Sequence, residues 1–313
     1  MEIRECASLL RGRDNFLLIT HKRPDGDTLG SAAALCHALR RLGKTAQLFR
    51  NSEITDTYRP FVEPYLAPAD FVPECSVAVD VADSSMLAPG FSGEVFLKLD
   101  HHVPRGELGE HRLIRADRAS CGEIVLELIR ELCGSVDREE ANLLYIAVST
   151  DTGCFCYANT SADTFRAAAE LMDAGAELPR LNKLLFRTKS RERLTLEGLI
   201  YSSLQSCRNG ALNIATVTLD MMERSGATED DCDDLANLAG QIRGSRVSVT
   251  IRELSAQPPR CKVSLRTDGG VDASAVCASF GGGGHRMASG CELPLSPEGT
   301  ALAIRLAVED VWA

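Results

Sequence analysis

A chain of 313 residues is longer than one hydrophobic core ordinarily serves and points to two domains. Its 44% hydrophobic and 25% charged residues are those of a folded globular protein and exclude a disordered or fibrous chain. A net charge of -10 excludes a protein that holds long nucleic acid on a basic surface, so an anionic substrate has to be met by local cations or bound metal.

The twelve cysteines are scattered singly, with Cys154 and Cys156 the closest pair, and indicate neither a zinc finger nor a disulfide framework. The first residues lack an apolar signal core, and no run reaches the ~18 apolar residues of a membrane span. The expectation is a cytoplasmic protein with reduced thiols and no membrane contact.

In chain order, apolar runs predict strands over 16–20, 46–49, 76–79 and 95–99. The segment 147–149 reads either as a further strand or as the helix end just before it. Apolar residues at three- and four-residue spacing predict helices over 31–42, 122–132 and 139–148, and the alternation is the βαβ rhythm of an open parallel sheet. Gly26 and Gly30 are read as tight-turning positions between the first strand and the first helix. Helix continues over 163–175, closing at Gly175, and over 181–187. From 188 to 206 the charge density rises in a helical register, with Lys189, Arg191, Glu192, Arg193 and Glu197, as in a connecting segment. After Asn209-Gly210, strands at 212–219, 246–253 and 262–266 interleave with helices near 230–242 and 273–280, a smaller α+β domain. The expected division is 1–187, a linker at 188–208, and 209–313.

Chemistry-bearing residues gather at the ends of the apolar runs. His21, Asp25 and Asp27 follow 16–20, Asp80 follows 76–79, Asp100, His101 and His102 follow 95–99, and Asp151 follows 147–150. Open parallel sheets bind ligands at the carboxyl ends of their strands. One Asp in such a place is ordinarily a helix cap or a turn residue, but four coincident cases are hard to read as caps. So many carboxylates at one edge repel one another unless cations sit among them. Mixed imidazole and carboxylate donors suit Mn²⁺ and also permit Mg²⁺, Co²⁺ or Zn²⁺, and paired metals sharing a carboxylate activate water for attack on phosphorus. Further on, the glycine run 281–284 lets backbone N–H groups approach an anion, with His285 and Arg286 as added donors.

These motifs resemble those of the DHH phosphoesterase superfamily, named for the triplet that stands here as Asp100-His101-His102. The run 262–266 with Phe280-Gly281-Gly282-Gly283-Gly284-His285-Arg286-Met287-Ala288-Ser289-Gly290 is similar to the associated DHHA1 domain. The resemblance implies an α/β fold, in which a parallel-sheet DHH domain is joined by a helical linker to a smaller α+β DHHA1 domain, with the active site in the interdomain cleft. It implies two divalent ions, Mn²⁺ foremost: His21 and Asp25 on one, Asp27, His101 and Asp151 on the other, and Asp80 bridging both. His102 would lie beside the scissile phosphate, with Asp100 orienting the His pair, so that His102, Asp100 and Asp80 form the catalytic group. Arg266, Gly283, Gly284, His285 and Arg286 would hold the terminal phosphate or base of the substrate, Arg286 standing where many relatives have Lys.

Within the superfamily, the two-domain size resembles the bifunctional nano-RNases. The implied activity is hydrolysis of short oligoribonucleotides to mononucleotides and removal of the 3′-phosphate of 3′-phosphoadenosine 5′-phosphate. A phosphodiesterase for linear or cyclic dinucleotides is the alternative. An inorganic pyrophosphatase ranks lower because of the glycine–His loop, and a catalytically silent nucleotide-binding module ranks lower because all six ligands are present. Substrates are expected to be short, without a track for long nucleic acid, and a homodimer is left open.

Overall fold

A computed structural model describes residues 1–103, 106–232 and 235–312. The chain divides into two compact units, Met1–Thr188 and Lys189–Ala313.

In the first unit, β1 (Phe16–Ile19), β2 (Ala46–Leu48), β3 (Cys75–Val79), β4 (Leu97–Asp100) and β5 (His111–Ile114) form a wholly parallel sheet in the order β2-β1-β3-β4-β5. Every residue of β1, β3 and β4 is buried, as expected for strands covered on both faces. Alternate residues serve two cores. Phe16 and Leu18 face the helices α1 (Ile3–Arg11), α2 (Gly26–Arg41), α4 (Cys121–Cys133) and α5 (Arg138–Asp151), whereas Leu17 and Ile19 pack with Ala78, Val81 and Val95 under the segments that follow β3. A short helix α3 (Arg59–Val62) and two later ones, α6 (Ala162–Asp173) and α7 (Leu178–Phe186), complete the unit. Gly175, at φ +101, follows the last turn of α6.

One open reading is settled here and two sequence expectations change. The segment 147–149 lies inside α5, and the fifth strand is β5, whose His111-Arg112-Leu113-Ile114 carries too little apolar signal to read as a buried strand. Helix α2 begins at Gly26, ahead of the expected 31. Gly26 and Gly30 are therefore helical notches and not turn residues. A Cβ at Gly26 would come 2.5 Å from Thr150 Oγ1, and one at Gly30 would come 2.3 Å from the Leu143 carbonyl oxygen. Their bare backbone is what lets α5 lie against α2.

In the second unit, β6 (Gln205–Cys207), β7 (Leu212–Val217), β8 (Val247–Ala256), β9 (Pro259–Thr267), β10 (Gly283–His285) and β11 (Ala288–Leu293) form a sheet in the order β10-β11-β9-β8-β7-β6. Only β7 and β8 pair in parallel. Helices α10 (Ala273–Ala278) and α11 (Pro297–Val311) bury Val276, Ile304 and Val308 against one face. The charged segment after 188 carries α8 (Arg191–Ser202), whose Leu196 and Ile200 are buried with Ala215 and Val217 on the other face. Strand β7 stops at Val217 because Thr218 caps α9 (Leu219–Ser225), its side chain accepting from Met221 N. Near 230–242 the expected helix is replaced by 3-10 turns at Asp230–Cys232, Leu235–Asn237 and Ala239–Gln241. Asp231 Oδ2 accepts from Thr228 N at 2.9 Å, and such local side-chain bonds compete with helix. Among the described residues no helix is long and apolar enough to cross a membrane.

Candidate metal centre

The first unit brings its predicted residues together. His21 follows β1. Asp25 caps α2, with Oδ1 accepting from Asp27 N at 3.0 Å and Thr28 N at 3.2 Å, and Asp27 lies in that helix's first turn. Asp80 stands beyond β3 at φ +58, a left-handed conformation costly for most residues but tolerated by Asp, and its N–H donates to Leu99 O at 2.8 Å. Asp100 ends β4 and precedes His101 and His102, while Asp151 ends α5. The α2–α5 contact at Gly26 and Thr150 therefore sets Asp151 next to Asp27.

Asp80 lies at the centre. Its Oδ2 is 3.6 Å from His21 Nε2, which is also 3.5 Å from Asp25 Oδ1. Its Oδ1 is 3.4 Å from His101 Nε2, which in turn lies 3.8 Å from Asp27 Oδ2 and 3.6 Å from Asp151 Oδ2. His21, Asp25 and Asp80 form one group whose donor atoms all lie within 4.8 Å of one another, and Asp27, His101 and Asp151 form another. The rings are held from behind. His21 Nδ1 is 2.8 Å from Lys22 O and His101 Nδ1 is 3.3 Å from Arg118 O, so each Nδ1 donates to a carbonyl and each Nε2 turns a lone pair into the cluster. Asp80 Oδ1 and His101 Nε2 are buried with no hydrogen-bond partner although they face each other. Two orphaned donors within a set of imidazoles and carboxylates fit divalent metal.

The electrostatics agree. Burial, with Asp27, Asp25 and Asp151 around it, raises the Asp80 carboxyl well above its ordinary range. Burial and Asp151 push Asp27 up to about 7, and burial and Asp25 do the same for Asp151. Asp100 goes the other way: burial opposes its charge, but bonds from His102 and Lys98 hold it at about 2. Asp100 Oδ1 accepts from His102 Nδ1 at 2.8 Å and from His102 N at 3.0 Å, and this bond raises the His102 pKa.

Other fixtures went unread in the sequence. Asp27 sits at the N-terminus of α4, where Oδ2 accepts from Cys121 N at 2.7 Å and Oδ1 from Gly122 N at 2.9 Å and Ser31 Oγ at 3.1 Å. Ser120, as N-cap of α4, was the available signal. Lys98, inside an apolar strand, gave none. A separate group of metal-capable residues, His37, Asp137 and Glu140, is closed by Arg41, which lies 2.6 Å from Glu140 Oε2, and His37 Nε2 bonds Asp137 Oδ2 at 3.0 Å.

The remaining predicted residues lie in the second unit, away from the cluster in sequence. Ala288 of β11 pairs with Arg266 of β9 on one side and with His285 of β10 on the other. Paired residues project to the same face, so Arg266 and His285 flank a small side chain, two strand spacings apart or about 10 Å. Gly283 and Gly284 pair with Gly290 and Ser289, so the end of the glycine run is strand. Arg286 Nη2 reaches Gly269 O at 3.4 Å.

Comparison with known proteins agrees with this architecture. The family model described as "DHH family, N-terminal domain" matches residues 15–148, and the DHHA1 domain matches 210–311. The bifunctional oligoribonuclease and PAP phosphatase NrnA of Thermus thermophilus is 34% identical over 93% of this chain and 88% of its own length. The protein of the same name from Bacillus subtilis is 27% identical over 90% of each chain. Among solved structures, an exopolyphosphatase-related protein from Bacteroides fragilis shares the fold, with a TM-score of 0.86 at 21% identity over 98% of this chain and 95% of that one. The chain belongs to the DHH family of phosphoesterases, with a DHHA1 domain matching its residues 210–311.

Proposed function

We propose that this chain is an Mn²⁺-dependent phosphohydrolase that cleaves short oligoribonucleotides to mononucleotides and removes the 3′-phosphate of 3′-phosphoadenosine 5′-phosphate in the cytoplasm. The observation that carries the reading is the pair of donor groups sharing Asp80, with Asp80 Oδ1 and His101 Nε2 buried and unpartnered. His21 and Asp25 would hold one ion, Asp27, His101 and Asp151 the other, and Asp80 both. The chemistry a bound pair of divalent ions supplies is activation of water and neutralisation of phosphoryl charge. The protein's own part is orientation. Backbone carbonyls fix the rings of His21 and His101, and the α4 N-terminus fixes Asp27. His102, held by Asp100 through Nδ1 with its pKa raised by that bond, would as the imidazolium give its Nε2 proton to the departing oxygen and be left neutral. Arg266, His285, Arg286 and the backbone of Gly283 and Gly284 would grip a substrate phosphate. The nucleotide class comes from the names of the relatives, oligoribonuclease and PAP phosphatase.

The test is a substrate panel with Mn²⁺: a dinucleotide, a five-mer, a long single strand, a cyclic dinucleotide, 3′-phosphoadenosine 5′-phosphate and pyrophosphate. Turnover of the dinucleotide, the five-mer and the 3′-phosphate is expected. The long strand should be slow, because a chain of net charge -10 offers no basic track to repay phosphate repulsion. Turnover of only the cyclic dinucleotide or only pyrophosphate would overturn the reading.

A further inference from the structure

We infer that Lys98 is a positioning residue for His102: its ammonium group occupies one oxygen of Asp100, which leaves the other oxygen fixed on the His102 ring. Lys98 lies in the middle of β4, two residues before Asp100, so both side chains project from the same face of the sheet. Lys98 is only 2% exposed and Asp100 is fully buried. Lys98 Nζ donates to Ala82 O at 2.6 Å and lies 2.9 Å from Asp100 Oδ2. Asp100 Oδ1 accepts from both Nδ1 and the backbone N of His102. The two oxygens thus have different duties, and the carboxyl plane is held at both ends.

A lysine is a poor choice for this place unless its charge has a use. Its neighbours Leu97 and Leu99 are fully buried in the core, and an aliphatic residue at 98 would suit the strand better. A buried ammonium loses its hydration and needs partners, and here it has one hydrogen-bond acceptor, Ala82 O, and one ion-pair partner, Asp100 Oδ2. Without the ammonium, Asp100 Oδ2 loses its ion-pair partner and Oδ1 is held by the His102 N–H groups alone, so the carboxyl plane is fixed at one end only. The side chain of His102 is 41% exposed, and the His101 ring 4.4 Å away, centroid to centroid, does not by itself set which way its nitrogens face. The hold from Asp100 must do so.

The experiment compares the full-length chain with Lys98→Met, Asp100→Asn and the double variant Lys98→Met/Asp100→Asn. One readout is steady-state hydrolysis of a dinucleotide with Mn²⁺. The other is the ¹⁵N–¹H signal of His102 Nδ1–H in metal-free protein, which reports the bond to Asp100 directly. In Lys98→Met, kcat should fall about 10- to 100-fold, the worth of one charge-assisted bond, with KM changed by less than about threefold. The Nδ1–H signal should broaden or disappear. The double variant should be within about threefold of Asp100→Asn, because a residue acting through another adds nothing once that other is gone. Should Lys98→Met fail to fold, the comparison of the double variant with Asp100→Asn carries the test. A folded Lys98→Met with parental kcat and an unchanged Nδ1–H signal would overturn the inference, as would a double variant ten times slower than Asp100→Asn. The inference rests on the proposed activity for its kinetic arm alone. If the parent chain hydrolyses no nucleotide, that reading fails while the ring signal still decides the role of Lys98.

Discussion

The two units carry their functional side chains in opposite ways. In the first, eight side chains from four separated stretches converge, and the three carboxylates of Asp27, Asp80 and Asp100 are almost wholly buried. In the second, Arg266 of β9 is half-buried, while Gly283, Gly284 and His285 of β10 and Arg286 in the turn after it are exposed. The first arrangement stores repulsion, visible in the raised carboxyl groups of Asp27, Asp80 and Asp151. By linkage a ligand raises stability at either site with its affinity and concentration, and in the first it also relieves the repulsion that the metal-free fold carries.

The largest effect that can break this contrast lies at Asp80. Asparagine there keeps the shape and tolerates the left-handed backbone, while removing the charge both donor groups share. Asp80→Asn should lower turnover by at least ~10³-fold and abolish the rise in Tm on adding Mn²⁺, without lowering the Tm of the metal-free protein. Near-normal activity of a folded variant would remove Asp80 from the centre. The same carboxylates set a pH dependence. Asp27 and Asp151 titrate at about 7 in the fold against 3.8 ordinarily, so the metal-free fold keeps protons that the unfolded chain has released. Their contribution to stability is complete below the ordinary value and is lost as pH rises through about 7. Asp100, held at about 2, acts in the reverse sense, its contribution being lost only as pH falls toward 2. Metal competes with the protons on Asp27 and Asp151, so the Mn²⁺-induced gain in Tm should be larger near pH 8 than near pH 5. Scanning calorimetry at both pH values checks this, and equal gains would dissociate these carboxylates from metal.

The second effect is smaller and belongs to the other unit. Arg266→Ala and His285→Ala should each weaken substrate binding about 10- to 150-fold, the worth of a charge-assisted hydrogen bond of roughly 1.5–3 kcal/mol. Bound metal, measured on the dialysed protein, should stay at the parental level. Loss of metal with unchanged KM would show that the two units do not divide the work in this way.

The sequence exposed the metal-capable residues because each follows an apolar run, and the parallel sheet because its central strands are continuously apolar. What it hid were arrangements that depend on partners distant in the chain. Lys98 reads as an interruption in a strand until Asp100 and Ala82 are placed around it. The donors Cys121 N and Gly122 N that fix Asp27 are backbone groups and leave no residue-type signal. The segment 147–149 read as strand or helix because a three-residue apolar run has no period of its own. Gly26 and Gly30 looked like turn residues because the helix they notch for, α5, lies more than a hundred residues later.

The smallest predicted effect separates two neighbouring glycines that look equivalent in sequence. A Cβ on Gly283 would meet nothing within 4 Å, whereas one on Gly284, at φ +150, would come 2.6 Å from Ser289 Oγ and 2.7 Å from Ala288 O. Gly284→Ala should therefore destabilise the second unit by about 1–3 kcal/mol, because the strained backbone has to shift and carries the His285–Ala288 pair with it. Gly283→Ala should leave Tm unchanged and raise KM by a few-fold, because the added methyl stands where a phosphate oxygen would approach the backbone N–H. Thermal unfolding and KM for the same dinucleotide, measured on both variants, distinguish the two roles. A Gly283→Ala protein with parental KM would mean that the phosphate does not reach that backbone and that the side chains of Arg266 and His285 hold it alone.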